Sequence, residues 1–258
     1  MSLLQPYYML DFNASACFFE IRVNDYPVIN MNIPGQLATS IPINYAILKS
    51  GIQDISMTIL PINGKTTLDP DANLKFNIKL FDVSADFSFV EQFGDFRSII
   101  IDNKKLPIQT YSNTFNAEVP YLLEAWSEGV DLKEVKDCRE KLNKAYLKII
   151  KSIETENFED FKKYLKKREG NMAVSMYLSS EESTERINDL LQDFKNGFKI
   201  NSNIENSLMI LGGHNKIAML KKPNGEPALS LENKETEEEL MLDISFYIPE
   251  GKEDFEVI

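Results

Sequence analysis

The chain has few of the residues on which most enzyme chemistry depends. Its 258 residues include one histidine, one tryptophan and two cysteines. Cys17 and Cys138 lie too far apart in sequence to form a disulfide framework, and two buried thiols are the simplest interpretation. The histidine, His214, has no second His or Cys within metal-ligand spacing. The sequence therefore predicts no catalytic set, no metal site and no cofactor.

Long apolar runs and excess positive charge are also missing. No stretch approaches the roughly 20 consecutive apolar residues of a membrane helix, and the first residues lack the features of a secretory signal. The formal net charge of -12 opposes binding to nucleic acid or to an anionic lipid surface. We expect no nucleic-acid partner and no membrane insertion. The chain as given predicts a cytoplasmic location, or a periplasmic one if an export signal was removed.

The spacing of the apolar residues changes twice along the chain. Between residues 18 and 80 they mostly alternate with polar residues, between 130 and 194 they recur every three or four positions, and from 208 the alternation returns. Alternation predicts strands, and the longer period predicts amphipathic helices. The pattern predicts an α+β chain of two domains, residues 1–119 and 120–258.

The N-terminal domain has the pattern of an antiparallel β-sandwich. Its clearest strand runs from Leu74 to Leu80, where apolar residues alternate with Lys and Asn. A break at Asn24-Asp25-Tyr26-Pro27 between two extended stretches predicts a hairpin. Short strands separated by Asn, Asp, Gly and Pro, without a helical pattern, are typical of such sandwiches.

The C-terminal domain has the pattern of three helices followed by an antiparallel sheet. The first helix is predicted at 132–154, the second between an N-cap at Asn157 and an end at Gly170, and the third between a start at Ser179 or Ser180 and an end at Gly197. The strands predicted after them are 208–211, 216–221, 228–231 and 240–248. Helices that cover one face of such a sheet form an α+β unit.

Acidic residues concentrate between the last two predicted strands. The run contains Glu235, Glu237, Glu238 and Glu239. It lacks the spaced Asp, Asn and Gly residues of a calcium loop, so it predicts an exposed connection and not a metal site. Because an excess of carboxylates attracts a basic protein over long range, we expect these four residues to contact such a partner.

Three further residues are candidates for a pocket. Asp243 and Tyr247 stand four residues apart on a predicted strand, so both point to one side, where a carboxylate and a phenol could exchange protons with a ligand. His214 follows two glycines at a predicted hairpin tip, and histidine is the commonest side chain in acid-base catalysis. The competing interpretation is that Asp243 and Tyr247 mark the more polar face of a sheet and that His214 is a turn residue.

Two parts of the sequence resemble known folds. Residues 20–28 and 40–55 resemble the galactose-binding-like jelly rolls, in which a strand ends in a Val-Asn-Gly turn, although Asp25 stands in place of the usual glycine. The order of elements in the C-terminal domain is similar to that of NTF2-like folds, in which a curved sheet wraps a long helix and forms a pocket. The pair resembles two-domain bacterial proteins of the envelope or of loci beside interbacterial toxin genes.

These observations favour a non-enzymatic bacterial protein that binds another protein. The resemblance implies an immunity or accessory factor of a toxin or secretion system. A first alternative is carbohydrate binding through the β-sandwich, for which Tyr26, Tyr45 and Phe87 are available. A second alternative is an NTF2-like enzyme with a pocket around Asp243 and Tyr247. No oligomeric state is predicted.

Overall fold

The computed structural model describes residues 5–99, 101 and 105–258 and shows an α+β protein. Backbone contacts divide the chain into two units, which meet in sequence between Leu123 and Glu124. In the described residues the first unit contains six antiparallel strands, and the second contains three α-helices and seven short strands. Within the same residues, none of the helices has the length and apolar character needed to cross a bilayer.

The first unit is built on one long hairpin. Its strands are β1 Pro6–Val23, β2 Tyr26–Pro42, β3 Gly51–Leu60, β4 Asn73–Asp82, β5 Ser88–Arg97 and β6 Gln109–Ala117. β1 pairs with β2 along most of its length, while β4 pairs with the first half of β1 and β3 with the second half. The change of partner coincides with a break in register at Ala16, which has a φ of 47°. β5 extends the β4 side, β6 extends the β3 side, and each is an edge strand.

The hairpin predicted at Asn24-Asp25-Tyr26-Pro27 is confirmed, since β1 and β2 pair on either side of this turn. Asn24 and Asp25 have φ values of 51° and 58°, the left-handed conformation that two-residue hairpin turns require and that Asn and Asp tolerate. The Asn24 side chain donates to the Ala46 carbonyl and to Gln53 Oε1, each at 2.8 Å. The turn is therefore tied to the segment that leads into β3.

The core of the first unit is formed by the buried faces of its strands. Alternate β1 side chains are buried, and the rings of Phe12 and Phe19, one from each half of the strand, lie 5.4 Å apart. Aromatic contacts also join the edge strands β5 and β6, with Phe93 6.4 Å from Phe115 and Phe96 5.9 Å from Tyr111. The side chains of β1, β4 and β5 that point away from this core are exposed or half-buried and lie on a different surface of the unit.

The second unit has its helices before its strands, as the sequence predicts. The helices are α1 Cys138–Glu154, α2 Phe158–Ser175 and α3 Ser180–Lys195, and the strands are β7 Lys199–Ser202, β8 Leu208–Gly212, β9 Ile217–Lys221, β10 Leu229–Asn233, β11 Glu238–Met241, β12 Phe246–Tyr247 and β13 Glu256–Val257. The strands form two sheets, in the orders β11-β10-β7 and β13-β12-β9-β8. β7 and β11 are therefore the edges of the smaller sheet.

The helix caps are where the sequence predicts them, but two helix ends differ. The Asn157 and Ser179 side chains accept hydrogen bonds from the first turns of α2 and α3, and Ser179 is part of a full capping box. α1 begins only at Cys138, because residues 132–134 form a separate 3-10 turn. α2 continues through Gly170. One interior glycine costs about 1 kcal/mol, and the buried Glu169 beside it is held by two arginines, Arg168 and Arg186.

The prediction of one strand over 240–248 is wrong. Its first residues belong to β11 in the smaller sheet and its last to β12 in the larger sheet. Between them the Leu242 N–H still donates to the Leu229 carbonyl, while the Ile244 carbonyl accepts from Tyr146 Oη at 3.0 Å. The apolar alternation persists because Leu242, Ile244 and Phe246 all enter one core as the chain passes between the sheets.

Candidate functional site

The four predicted partner-binding glutamates lie on the hairpin between β10 and β11. Glu235, Glu237, Glu238 and Glu239 are all exposed. The Asn233 side-chain oxygen accepts from the backbone N–H groups of Glu235, at 3.0 Å, and of Thr236, at 3.3 Å, which organises the turn. Asn233 also donates to the Asn196 carbonyl, at 3.1 Å, just after α3. The acidic turn is therefore held by hydrogen bonds at its base.

The carboxylates of this hairpin are only partly neutralised by the protein itself. Glu239 forms an ion pair with Lys222 at 3.6 Å, and Glu238 accepts from the Thr236 hydroxyl at 2.7 Å. Within the described residues, Glu235 and Glu237 form no ion pair. Exposed carboxylates without a cation attract a positively charged partner, in a manner that added salt weakens.

Two clefts that share lining residues on β7 adjoin the acidic hairpin, and we call them together the groove along β7. One part, about 480 Å³ in volume, is lined by Gly197, Lys199, Ile200, Asn201, Glu232, Asn233, Lys234 and Glu235. A second part, about 370 Å³, is lined by Ile153, Glu154, Glu156, Phe158, Phe194, Lys195, Phe198, Lys199 and Ile200. The two parts share Lys199 and Ile200 of the edge strand β7. Both volumes lie in the range of ligand-binding clefts.

The second part of the groove is an aromatic slot with a charged rim. Phe158 and Phe194 stack with their ring centroids 5.7 Å apart at 11°, and Phe198 is buried beside them. α1 ends at Glu154 and α3 at Lys195, so two helix C-termini, each with partial negative charge, lie near the rim. The rim carries the carboxylates of Glu154 and Glu156 and the amines of Lys195 and Lys199. Apolar rings below such a rim suit a side chain with an apolar stem, and the carboxylates can pair with a cationic head.

The structure places Asp243 and Tyr247 in different environments. Asp243 pairs with Lys221 Nζ at 2.6 Å, and that lysine is only 5 % exposed. Tyr247 is buried, and its hydroxyl accepts from Lys167 Nζ at 2.5 Å. Burial is the largest single influence on Lys167 and opposes its charge, but the hydrogen bond to Tyr247 and the nearby Glu256 and Glu124 together outweigh it, so the pKa of that amine is raised. Each residue therefore contacts its own lysine, and the strand on which their pairing was predicted is absent.

His214 lies where the sequence predicts it, at the turn between β8 and β9. It is exposed and has a φ of 57°. The preceding Gly213 has a φ of 56°, and a Cβ there would meet Trp126 Cδ1 at 2.6 Å. Close packing against Trp126 therefore accounts for the second glycine of the pair.

The aromatic residues named for a carbohydrate site differ in their exposure. Tyr26 and Tyr45 contact each other edge to face, with ring centroids 5.8 Å apart, and pack against the core. Phe87, by contrast, is 45 % exposed. Among the residues that the structure describes, no group of three His, Cys, Asp or Glu side chains could hold a metal ion.

Comparison with known proteins finds no matching family model, curated protein or solved structure. The acidic hairpin was predicted from the sequence, and the aromatic slot was not. The signal for the slot in the sequence is the position of Phe158, Phe194 and Phe198 beside predicted helix ends.

Both thiols should resist modification in the folded protein. Burial raises the pKa of Cys17 to about 11, and it also raises the pKa of Cys138. Since the thiolate is the reactive form, we expect Ellman's reagent at pH 8 to label neither cysteine until urea unfolds the chain. Because folded Cys17 keeps its proton more tightly, its contribution to stability is lost as pH rises through 11. Rapid labelling of native protein would contradict this expectation.

Proposed function

We propose that the chain binds another protein through a basic segment of that partner, and that the contact lies on the β10–β11 hairpin and the groove along β7. The observation that carries the proposal is that the hairpin with four exposed glutamates adjoins a groove that contains an aromatic slot, and that one of the four, Glu235, lines the groove. The carboxylates supply attraction and orientation, and the slot supplies a place for an apolar anchor.

The groove favours an extended segment over a globular surface. β7 is an edge strand, and its residues Lys199 and Ile200 line both parts of the groove. An extended chain laid along an edge strand obtains main-chain hydrogen bonds and can place alternate side chains in pockets. A segment with alternating apolar and basic residues fits the slot and the hairpin.

We further propose a biological role for the chain and a fold type for each of its two units. A binder of basic proteins suits an immunity or accessory factor of a toxin or secretion system, since toxins that attack nucleic acid are often basic.

The ring contacts between β5 and β6 support a β-sandwich in the first unit. The packing of Tyr146 of α1 against Phe246, with centroids 4.7 Å apart, supports an NTF2-like arrangement of helix on sheet in the second.

Removing the hairpin charges should weaken binding to a basic peptide about tenfold. The change is Glu to Gln at the four hairpin positions, and the probe is a fluorescent heptapeptide of alternating lysine and leucine, measured by anisotropy. Exposed ion pairs contribute about 0.2–1 kcal/mol each, so four of them account for a tenfold loss, or 1.4 kcal/mol. Affinity of the unmodified protein should also fall as salt is raised.

A matched variant separates a local effect from a change in total charge. Glu to Gln or Asp to Asn at Glu181, Glu185, Asp189 and Glu253 also removes four exposed carboxylates, and it moves the formal net charge from -12 to -8 as the hairpin variant does. We expect this control to bind the peptide within about twofold of the unmodified protein. Equal losses in the two variants, or a salt-independent affinity, would contradict the proposed site.

A further inference from the structure

Four aromatic side chains gather on the outer face of the first unit. Tyr7, Phe81 and Phe89 stand directly opposite one another on the adjacent strands β1, β4 and β5. Phe87, from the turn between β4 and β5, stacks on Phe81 with ring centroids 4.9 Å apart at 22°, and contacts Tyr7 at 5.1 Å. We call these four residues the aromatic platform.

The platform keeps a bulky residue in an unfavourable backbone conformation. Asp86 and Phe87 have φ values of 55° and 56°, in the left-handed region. Asp tolerates that region, but a phenylalanine there is uncommon and strained. Its ring nevertheless remains 45 % exposed, and Phe89 is 58 % exposed. Backbone strain at an exposed aromatic residue is a feature of binding sites, whereas a purely structural turn favours glycine at such a position.

The size of the exposed aromatic surface helps to identify the ligand. The exposed fractions of Phe87 and Phe89 add up to about one whole phenylalanine, or roughly 200 Å². A stable protein interface buries about 800 Å² on each partner. The platform is therefore too small to be a protein-docking surface by itself. It is large enough for one or two sugar rings, whose apolar C–H faces stack on aromatic side chains.

A strip of polar groups continues from the platform along the same face. Lys79 precedes Phe81 by two positions on β4, stands opposite Gln92 of β5, and pairs with Asp11 of β1 at 2.5 Å. The Ser40 hydroxyl of β2 donates to the Asp11 carboxylate at 2.8 Å. The strip thus offers both donors and acceptors beside exposed rings, which is the combination that sugar hydroxyl groups require.

We infer that the aromatic platform and its polar strip bind a neutral saccharide. The acidity of the chain opposes anionic sugars, and the Lys79–Asp11 pair presents no net charge. This inference concerns a different unit, ligand and set of residues from the proposed protein-binding site. It stands even if the peptide experiment fails.

The Phe87→Gly variant tests the inference because a ligand-binding ring and a structural ring predict different results. Glycine relieves the positive-φ strain, so the melting temperature should stay the same or rise. Loss of the ring should weaken saccharide binding at least tenfold. The probes are a glycan array and native gels that contain xylan, mannan, β-glucan or galactomannan, in which a binding protein is retarded.

Two further variants complete the experiment. Phe89→Ser removes the most exposed ring and should also abolish retardation, while Ile52→Ser replaces an apolar residue on β3 that is 77 % exposed and should leave retardation unchanged. The inference is overturned if the unmodified protein binds no saccharide on the array or in the gels. It is also overturned if Phe87→Gly and Phe89→Ser bind as the unmodified protein does.

Discussion

Replacing Tyr146 with phenylalanine should lower the free energy of unfolding of the second unit by about 2 kcal/mol, and replacing it with alanine by about 5 kcal/mol. Tyr146 is 1 % exposed, and its hydroxyl donates to the Ile244 carbonyl at 3.0 Å and accepts from the Leu220 N–H at 2.8 Å. Phenylalanine leaves two buried backbone groups without this partner, at about 1–3 kcal/mol each. Alanine adds the cavity of a lost aromatic ring, about 3–5 kcal/mol.

Urea titration followed by tryptophan fluorescence measures this effect. Trp126 is the only tryptophan in the chain, and it is buried in the second unit. Tyr164→Phe on α2 is the matched control, since Tyr164 is only partly buried, and it should change stability by less than about 0.5 kcal/mol. If Tyr146→Phe were no more destabilising than Tyr164→Phe, the bridging role of the Tyr146 hydroxyl would be wrong.

Asn44→Ala should destabilise the first unit by about 3 kcal/mol. Asn44 is fully buried, and its side-chain oxygen accepts from the Tyr8 N–H at 2.6 Å while its amide donates to the Pro6 carbonyl at 2.9 Å. Alanine deprives both backbone groups of a partner at the start of β1, at about 1–3 kcal/mol for each group. Hydrogen–deuterium exchange of the peptide that contains Tyr8 should become faster in proportion.

Two variants show whether the Asn44 effect arises from its hydrogen bonds. Asn116→Ala, at an exposed position of β6, should change stability by less than about 0.5 kcal/mol. Asn44→Asp keeps the acceptor for Tyr8 but loses the donor to Pro6, and burial raises the pKa of the new carboxyl. Its stability should therefore fall further as pH rises above about 4. A pH-independent Asn44→Asp variant would show that this site is not desolvated.

The helix boundaries show how far local sequence signals reach. Asn157 and Ser179 were predictable because a cap needs only a side-chain oxygen and the N–H groups two or three residues later. The end of α2 was not predictable from Gly170. The helix continues past Gly170, and the neighbouring Glu169 is buried and pairs with Arg186, seventeen residues away, at 3.4 Å. An ion pair between two helices leaves no local pattern in the sequence.

The candidate sites also differ in whether the sequence alone predicts them. The acidic hairpin was predictable because consecutive glutamates between two strands are exposed in almost any fold. The aromatic slot depends on Phe158, Phe194 and Phe198, which only the packing of three helix ends against β7 brings together. The aromatic platform depends on strand register, because Tyr7 and Phe81 are far apart in sequence and become neighbours through the pairing of β1 with β4.

By itself the sequence determined the α+β class, the order of helices and strands, the turn at Asn24 and Asp25, and the location of the acidic charge. These follow from periodicity, turn chemistry and charge, which act over a few residues. The tertiary structure alone decided that residues 240–248 divide between two sheets, that Tyr247 is buried against Lys167, and which aromatic rings are exposed. Those outcomes depend on contacts between distant segments, where burial and hydrogen bonding with partners from elsewhere in the chain outweigh local preference.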